Sequence, residues 1–385
     1  MEKNLNRNLI RVQGAGAFID RVRRRAGQLQ KKFFGNFTRS QPMSGFLYWL
    51  LIGLSISLAI AACSPTPTKE TTTAPKADVE LNLVSFSVTK AAYDRIIPKF
   101  VEKWRQEHGQ TVGFKQSYGA SATQALLVVE GREEADVVHL SLAPDVMKIE
   151  EAGLINAGWQ EEFPDESIVT RSVVAIVTRS GDPKGISTWN DLTKDGIQVI
   201  TPNPFTSGGG RWNFLALWNA AKQSGADEAK TLDFLTRVYK NAPSLPRSAR
   251  QATLDFFQQG RGDVLLTYEN EVILKESKGQ KLSYRVPDVN FSIDNPVAVV
   301  DKNADEHKTR EVAEAFVRYL YSPEAREEFA KIGYRSVDPN VGPRYPAVSS
   351  LATVKDYGGW QKIRREFFDS GALVSRIFRS VSTAT

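Results

Sequence analysis

Three segments of the chain place small or hydroxyl-bearing residues at, or just before, the start of a predicted helix. They are residues 117–123, 202–212 and 247–253, with the sequences SYGASAT, PNPFTSGGGRW and RSARQAT. The first turn of a helix presents N–H groups without an acceptor in the helix, and a partial positive charge. Serine adds a donor without adding charge, and glycine lets a ligand approach the backbone closely. The segments therefore indicate a site for a small anion held by neutral donors.

Serine and threonine are also the ordinary N-cap residues, so each segment alone could simply begin a helix. The run SGGG at 207–210 is more informative, because three glycines raise the entropy lost on folding and so indicate close backbone approach. The P-loop pattern is absent, and GAS at 119–121 does not continue into G-x-S-x-G because residue 123 is Thr. Nothing in these segments requires a catalytic base.

The elements that position these segments alternate between strands and helices from Glu80 onward. Predicted strands cover residues 80–88, 111–117, 135–142, 171–179, 196–203, 263–268, 281–286 and 296–302. Predicted helices cover residues 93–107 (interrupted by a proline at 98), 121–130, 145–152, 210–222, 227–239, 248–259, 269–277, 311–321, 323–331 and 357–368. This alternation predicts an α/β fold with mainly parallel sheets. About 300 residues exceed one doubly wound domain, so we expect two lobes.

The charge distribution argues against nucleic acid as a partner. The whole chain has a formal net charge of +6. Residues 1–62 hold ten Lys and Arg against two acids, whereas residues 63–385 hold 40 bases and 42 acids. The basic excess therefore lies in the leader, and the body has no surplus of positive charge for a phosphate backbone.

The N-terminal region has the features of a secretory signal segment that ends in a lipid-anchor site. Residues 46–62 are almost wholly apolar, follow a basic stretch and have the length of a signal h-region. The ending Ile60-Ala61-Ala62-Cys63 resembles the bacterial lipobox, which implies that Cys63 is acylated and becomes the first mature residue. An uncleaved transmembrane anchor is the alternative. Residues 1–40 could form a basic interfacial helix, but we favour the interpretation that the assumed start codon lies too early.

The leader is expected to cover residues 1–62, and residues 63–78 a Pro/Thr-rich tether that lets the body stand off a membrane. Cys63 is the single cysteine of the chain, so no intrachain disulfide is possible. The three histidines are far apart and lack metal-ligand spacing. We therefore predict neither a metal nor a cofactor.

Six segments of the body carry a family resemblance: SYGASATQA (117–125), EADVVHLSLAPDV (134–146), VITPNPFTSGGGRWNFLALW (199–218), RSARQAT (247–253), GDVLLTYENEV (262–272) and VAEAFVRYLYSPEAREEFA (312–330). With these segments the chain resembles the periplasmic sulfate-binding proteins of ABC importers, a family that also takes thiosulfate. The resemblance implies two α/β lobes, each a sheet flanked by helices, joined by a hinge of crossing strands. Lobe I would comprise residues 79–170 and 296–385, and lobe II residues 171–295, with strands 171–179 and 296–302 running side by side.

The resemblance also implies the ligand-binding residues. Ser121 matches the serine of the first lobe, and Ser207, Gly208 and Gly209 match the serine and glycine amides of the second. Ala252 matches the alanine of R-G-A-T, a backbone donor at a helix start. Several positions depart from the family, since Ser87 stands where it commonly has Asp and Tyr268 where it commonly has Trp. Ala120 replaces the second glycine of its G-G-S run, and Gln251 replaces the glycine of R-G-A-T. Arg211 and Trp212 are expected to pack or pair inside the second lobe.

The expected function is a lipid-anchored, periplasmic, monomeric solute-binding protein that delivers sulfate or thiosulfate to ABC permease subunits, and not an enzyme. A donor-only pocket suits sulfate, whereas the proton of hydrogen phosphate would lack an acceptor at a cost of roughly 1–3 kcal/mol. Another oxyanion, such as molybdate or phosphate, is the nearest alternative. A membrane-anchored serine hydrolase using Ser121 or Ser207 is the alternative from a different class.

Overall fold

A computed structural model describes residues 77–337, 345 and 348–383. The strands are β1 Val79–Phe86, β2 Val112–Gly119, β3 Val137–His139, β4 Ile168–Ser172, β5 Val174–Thr178, β6 Val199–Ile200, β7 Val264–Tyr268, β8 Ser283–Arg285, β9 Val289–Phe291, β10 Ile293–Val299 and β11 Ser350–Ala352. The α-helices are α1 Lys90–His108, α2 Ser121–Val129, α3 Ala143–Glu151, α4 Gly208–Gln223, α5 Glu228–Lys240, α6 Ala249–Phe257, α7 Glu269–Glu276, α8 Asp301–His307, α9 Arg310–Leu320, α10 Pro323–Lys331, α11 Trp360–Ile363 and α12 Leu373–Thr383. A short 3₁₀ helix, Ser87–Thr89, follows β1 directly.

The strands form two main sheets, which confirms the α/β class with sheets flanked by helices. The first sheet has the order β2-β1-β3-β10-β4, with β1 parallel to β2 and β3, and β10 antiparallel to β3 and β4. The second has the order β6-β7-β5-β8, with β6 and β7 parallel and the other pairs antiparallel. The expectation of mainly parallel sheets is therefore wrong, since four of the seven strand pairs in these two sheets are antiparallel. All four involve β5 or β10, the strands by which the chain passes between the sheets, and not strands joined by a helical crossover within one sheet.

The chain passes between the two sheets at Val173. The predicted strand 171–179 is divided there, with β4 in the first sheet and β5 in the second. On the return pass β10 begins at Ile293, earlier than predicted, and pairs with β4 through Ile293 and Ser172. The two passes are thus neighbours in the first sheet, through residues 168–172 and 293–296. The predicted pairing of 171–179 with 296–302 is wrong, because residues 174–178 pair with β7 and β8, and residues 297–299 pair with β3. The division into lobes at 171 and 295 remains a prediction.

Several element boundaries differ from the sequence prediction. Helix α1 continues through Pro98 to His108, and Gly109 caps it with a φ of +64°, a value that favours glycine. Residues 301–307 form α8, although residues 301 and 302 were predicted to end a strand. The predicted helix 357–368 becomes the short α11 followed by a π-helical turn, Arg364–Phe368. Helix α12, which the sequence analysis did not predict, follows it.

Helices cover both sheets, because the apolar side chains of the strands must be shielded from water. Every residue of β5 is buried, in agreement with the unbroken apolar run of its sequence. In the first sheet, Leu81 and Leu83 of β1 are fully buried and belong to the same core as Tyr93 and Ile96 of α1. The strand ends that carry the candidate site are therefore held between packed layers.

Cys63 and the rest of the predicted signal and anchor lie outside the described residues. Within the part of the chain that the structure describes, no helix combines the length and apolar character needed to cross a membrane.

Candidate functional site

The three segments singled out from the sequence meet at one cavity. Its wall includes the starts of α2, α4 and α6, the 3₁₀ helix after β1, and the end of β7. The lining residues are Phe86, Ser87, Val88, Gly119, Ala120, Ser121, Ser141, Ser207, Gly208, Gly209, Ser248, Ala249 and Tyr268. The carboxyl end of β1 leads into Ser87, and that of β2 leads into the segment 117–123, at the edge where ligands bind in α/β sheets.

The cavity is small and its lining is neutral. About 170 Å³ of space lies among the lining atoms. None of the lining residues carries a charged side chain. Helix starts contribute partial positive charge and free N–H groups, so the cavity favours a small anion without a full countercharge.

Ser121 is the first residue of α2 and is buried. Its hydroxyl donates to Asp145 Oδ2 at 2.6 Å and accepts the backbone N–H of Ser141 at 2.9 Å. The hydroxyl proton is thus directed at a carboxylate, and the backbone N–H is the group that the helix start leaves for a ligand.

Asp145 and Arg211 lie behind this lining. Arg211 Nη1 donates to Asp145 Oδ1 at 2.9 Å, and its Nε donates to the carbonyl of Pro204 at 3.0 Å. Trp212 Nε1 donates to the carbonyl of Ser141 at 2.9 Å. Both Arg211 and Trp212 therefore pair and pack behind the cavity, but their partners Asp145 and Ser141 belong to the segment that follows β3 of the first sheet.

Each of the three glycines at 208–210 lies so close to a neighbouring group that a side chain would not fit. A Cβ on Gly208 would overlap the side chains of Ser141 and Leu142. On Gly209 it would lie 2.9 Å from the Tyr268 ring, and on Gly210 2.5 Å from the carbonyl oxygen of Pro202. None of these glycines has a positive φ, so close packing and not backbone conformation explains the run. Two of them line the cavity.

Ser207 is the N-cap residue of α4 and is nearly fully buried, yet its hydroxyl does not cap the helix. No hydrogen bond within residues 77–337 and 348–383 uses this hydroxyl, and it lines the cavity. Ser87 opens the 3₁₀ helix after β1 and also lines the cavity. Both residues are thus placed where the sequence analysis expected a donor.

Ala252 is not placed at the cavity, and this assignment is corrected. Its backbone N–H donates to the carbonyl of Ser248 at 3.0 Å, so it has an acceptor inside α6. It is fully buried among apolar residues such as Phe256. Ser248 and Ala249, at the start of the same helix, line the cavity instead.

Tyr268 ends β7 and pairs with a residue that the sequence analysis did not select. Its hydroxyl oxygen lies 2.6 Å from Ser141 Oγ, and both residues line the cavity. Burial raises the pKa of Tyr268, so the phenol stays protonated. The sequence predicts a buried strand over 135–142 that contains Ser141, but β3 ends at His139. A serine near the end of an apolar strand was the signal available for it.

The described residues do not provide a histidine to this cavity. His139, the nearest in sequence to Ser141, is fully buried, and its Nδ1 lies 2.7 Å from the Tyr93 hydroxyl. Burial lowers the pKa of His139 to about 3, so it is neutral at physiological pH. Ser121 has a carboxylate partner and no imidazole beside it. Among the described residues, no cluster of His, Cys, Asp or Glu suits a metal ion either.

Comparison with known protein families assigns the chain to one of them. The profile of a family described as bacterial extracellular solute-binding protein matches residues 81–335. The chain belongs to this family. The match contains the cavity lining and most of both sheets.

Members and relatives of this family resemble the chain over most of their own length. It is 47% identical to a protein named sulfate-binding protein from Synechococcus elongatus, covering 88% of this chain and 97% of that one. It is 34% identical to a thiosulfate-binding protein from Escherichia coli, covering 77% and 90%. The solved structure of the sulfate-binding protein SubI from Mycobacterium tuberculosis matches with a TM-score of 0.69 and 36% identity, covering 76% and 100%.

Proposed function

We propose that this solute-binding protein captures sulfate or thiosulfate outside the cytoplasm and delivers it to the permease of an ABC importer. The observation that carries the proposal is a small cavity lined by neutral residues at three helix starts. Relatives named for sulfate and thiosulfate support the choice of ligand.

The physical basis is the match between donors and acceptors. A tetrahedral dianion without a proton offers acceptor oxygens on all sides, and N–H and O–H donors satisfy them without needing a countercharge. Ser207 supplies a hydroxyl, and the first turns of α2, α4 and α6 supply backbone N–H groups. A cavity with so little free volume has no room for a sugar phosphate or a peptide.

Capture would close the cavity between two lobes, residues 79–170 with 296–385 and residues 171–295. Residues from both sheet regions line it, since Ser121 follows β2 and Tyr268 ends β7. The neighbouring passes through β4 and β10 are the proposed hinge. Rigid-body closure about a few residues between elements is a common way to enclose a ligand.

We further propose that a lipid on Cys63 anchors the protein to a membrane in the periplasm. Cys63 follows the small residues Ala61 and Ala62 and is the single cysteine of the chain. Hydrolysis by Ser121 or Ser207 is not proposed, because neither hydroxyl has an imidazole partner in the described cavity.

Calorimetric titration of residues 78–385 with sulfate, thiosulfate, molybdate and phosphate tests the ligand. We expect sulfate or thiosulfate to bind more tightly than the other two anions. Tighter binding of molybdate or phosphate would mean that the protein captures that oxyanion instead. Binding of none of the four anions would overturn the proposal.

A further inference from the structure

A groove runs between helices α1 and α9, and it shares no lining residue with the cavity of the candidate site. About 940 Å³ of space lies among its lining atoms, against about 170 Å³ in that cavity. The buried residues of its lining are all aromatic, namely Phe100 and Trp104 of α1 and Tyr319 of α9. The ring centroids of Phe100 and Tyr319 lie 5.5 Å apart. An open aromatic groove of this size suits an extended peptide better than a small solute.

The rim of this groove carries one carboxylate more than it has cations. Lys103 pairs with Glu107 along α1, and Arg318 pairs with Glu314 along α9. Glu311 also lines the groove and is exposed, and no ion pair between described residues includes it. Three acids and two bases therefore line the groove, which favours a peptide that carries positive charge.

The described part of the chain begins beside one end of the groove. The N–H of Asp78 donates to the carbonyl of Thr111 at 3.0 Å, and Asp78 Oδ2 accepts the N–H of Thr111 at 2.8 Å. Thr111 lies three residues beyond His108, which ends α1 and lines the groove. Because three residues span at most about 11 Å, the chain that precedes Asp78 leaves the fold within reach of the groove.

The segment that precedes this point has the composition of a groove-binding peptide. Residues 64–76, SPTPTKETTTAPK, lie outside the described residues and contain three prolines, two lysines and one glutamate. Proline-rich peptides dock in aromatic grooves at a low entropic cost, because the polyproline II form is already set before binding. Thirteen residues in that form would span about 40 Å, whereas the stretch of α1 from Phe100 to His108 is about 12 Å long. The segment is therefore long enough to reach any part of the groove.

We propose that residues 64–76 dock in the groove between α1 and α9, with prolines against Trp104 and Tyr319 and a lysine beside Glu311. Covalent attachment to the body gives the segment an effective concentration in the millimolar range, so contacts too weak to hold a free peptide suffice. Docking shortens the free chain between Cys63 and the body, and so limits how far the body stands from a membrane. It does not depend on the anion, since no cavity residue lines the groove.

Trypsin cleavage after Lys69, followed by mass spectrometry of the purified full-length chain in detergent, tests the docking. Ala315→Arg places a long side chain in the groove, and Glu311→Lys reverses the charge at its rim. We expect each substitution to speed this cleavage by about fivefold or more, because a docked segment is cut only while it is released. Ala229→Arg is the matched control for Ala315→Arg, since Ala229 is an exposed residue of α5 outside the groove, and it should leave the rate unchanged.

Equal cleavage rates in the wild type and both groove variants would overturn the proposal, as would the same acceleration by Ala229→Arg. Dilution of the wild type distinguishes docking within one chain from occupation of the groove by a second copy. We expect the cleavage rate to stay constant on dilution. Protection that is lost on dilution would assign the groove to another copy of the chain and overturn docking by residues 64–76. Glu311→Lys decides the question if Ala315→Arg does not fold.

Discussion

Arg211 Nη1 lies 2.9 Å from Asp145 Oδ1, and the Arg211 and Asp145 side chains are 9% and 0% exposed. The second carboxylate oxygen of Asp145 accepts the hydroxyl of Ser121. One buried carboxylate thus connects the start of α2, beside the first sheet, to α4, which packs with the second. The contact joins two of the three helix starts at the cavity, although neither charged group lines it.

Asp145→Asn should destabilise the protein strongly, by about 3 kcal/mol or more, because it leaves the buried guanidinium of Arg211 without its charge partner. Urea denaturation measures the change in the free energy of unfolding. Asp94→Asn is the control, since Asp94 pairs with Lys90 while both side chains are more than half exposed, and it should change little. Equal effects of the two substitutions would show that Asp145 and Arg211 do not depend on each other.

Ser207→Ala should weaken sulfate binding by roughly 10- to 200-fold with little loss of stability, since a hydrogen bond to a charged ligand contributes about 1.5–3 kcal/mol. The hydroxyl does not cap α4, so its removal leaves the helix intact. Ser248→Ala is the comparison, because the Ser248 hydroxyl accepts the N–H of Gln251 at 3.1 Å and caps α6. Ser248→Ala should cost about 1 kcal/mol of stability and less affinity. Calorimetry measures the affinity and urea denaturation the stability. If Ser207→Ala lost mainly stability and Ser248→Ala mainly affinity, the two hydroxyls would have the opposite roles.

The buried His139 should make the fold sensitive to mild acid. Burial lowers the pKa of His139 to about 3 in the folded protein, whereas an unfolded chain has the ordinary value near 6.5. As the pH falls below about 6.5, the unfolded state takes up a proton that the folded state does not, so stability is lost. We expect a loss of about 1–2 kcal/mol between pH 7 and pH 5 from this group. His139→Gln should flatten that slope in urea denaturation, and an unchanged slope would mean that His139 is protonated in the fold.

Cys63→Ser should release the protein from membranes or leave its precursor uncleaved, since the thiol is the proposed site of acylation. Fractionation of cells and mass spectrometry of the mature N-terminus measure this outcome. A wild-type mature chain that begins at another residue, without a lipid, would contradict the anchor. The solute-binding role of the body would not be affected by that result.

Part of this site could be predicted from the sequence pattern alone, because Ser121 and the run 207–210 lie at predicted helix starts that follow predicted strands, whereas Ser87 and Tyr268 were implied only by the family resemblance. Ser87, Ser121, Ser207, Gly208, Gly209 and Tyr268 all line one cavity, although their roles in binding remain predictions. Ala252 was misplaced because it was matched to the alanine of R-G-A-T by resemblance and not by its position in the helix. If the helix begins at residue 248, the backbone N–H of residue 252 is the first that donates to a carbonyl four residues earlier, so it is not free for a ligand. Ser141 could not be assigned because its partner Tyr268 is 127 residues away, and only tertiary structure brings them together.

Gly208→Ala should abolish or severely weaken ligand capture while the fold survives. A Cβ at this position would overlap the Ser141 side chain and press on Leu142, so the start of α4 would have to move away from the segment after β3. The φ of Gly208 is not positive, so alanine is acceptable to the helix itself and its propensity offsets part of the strain. We expect sulfate affinity to fall by at least about 100-fold, as measured by calorimetry, with a far-ultraviolet circular dichroism spectrum like that of the wild type. Wild-type affinity in this variant would mean that α4 and the segment carrying Ser141 do not approach this closely around the anion.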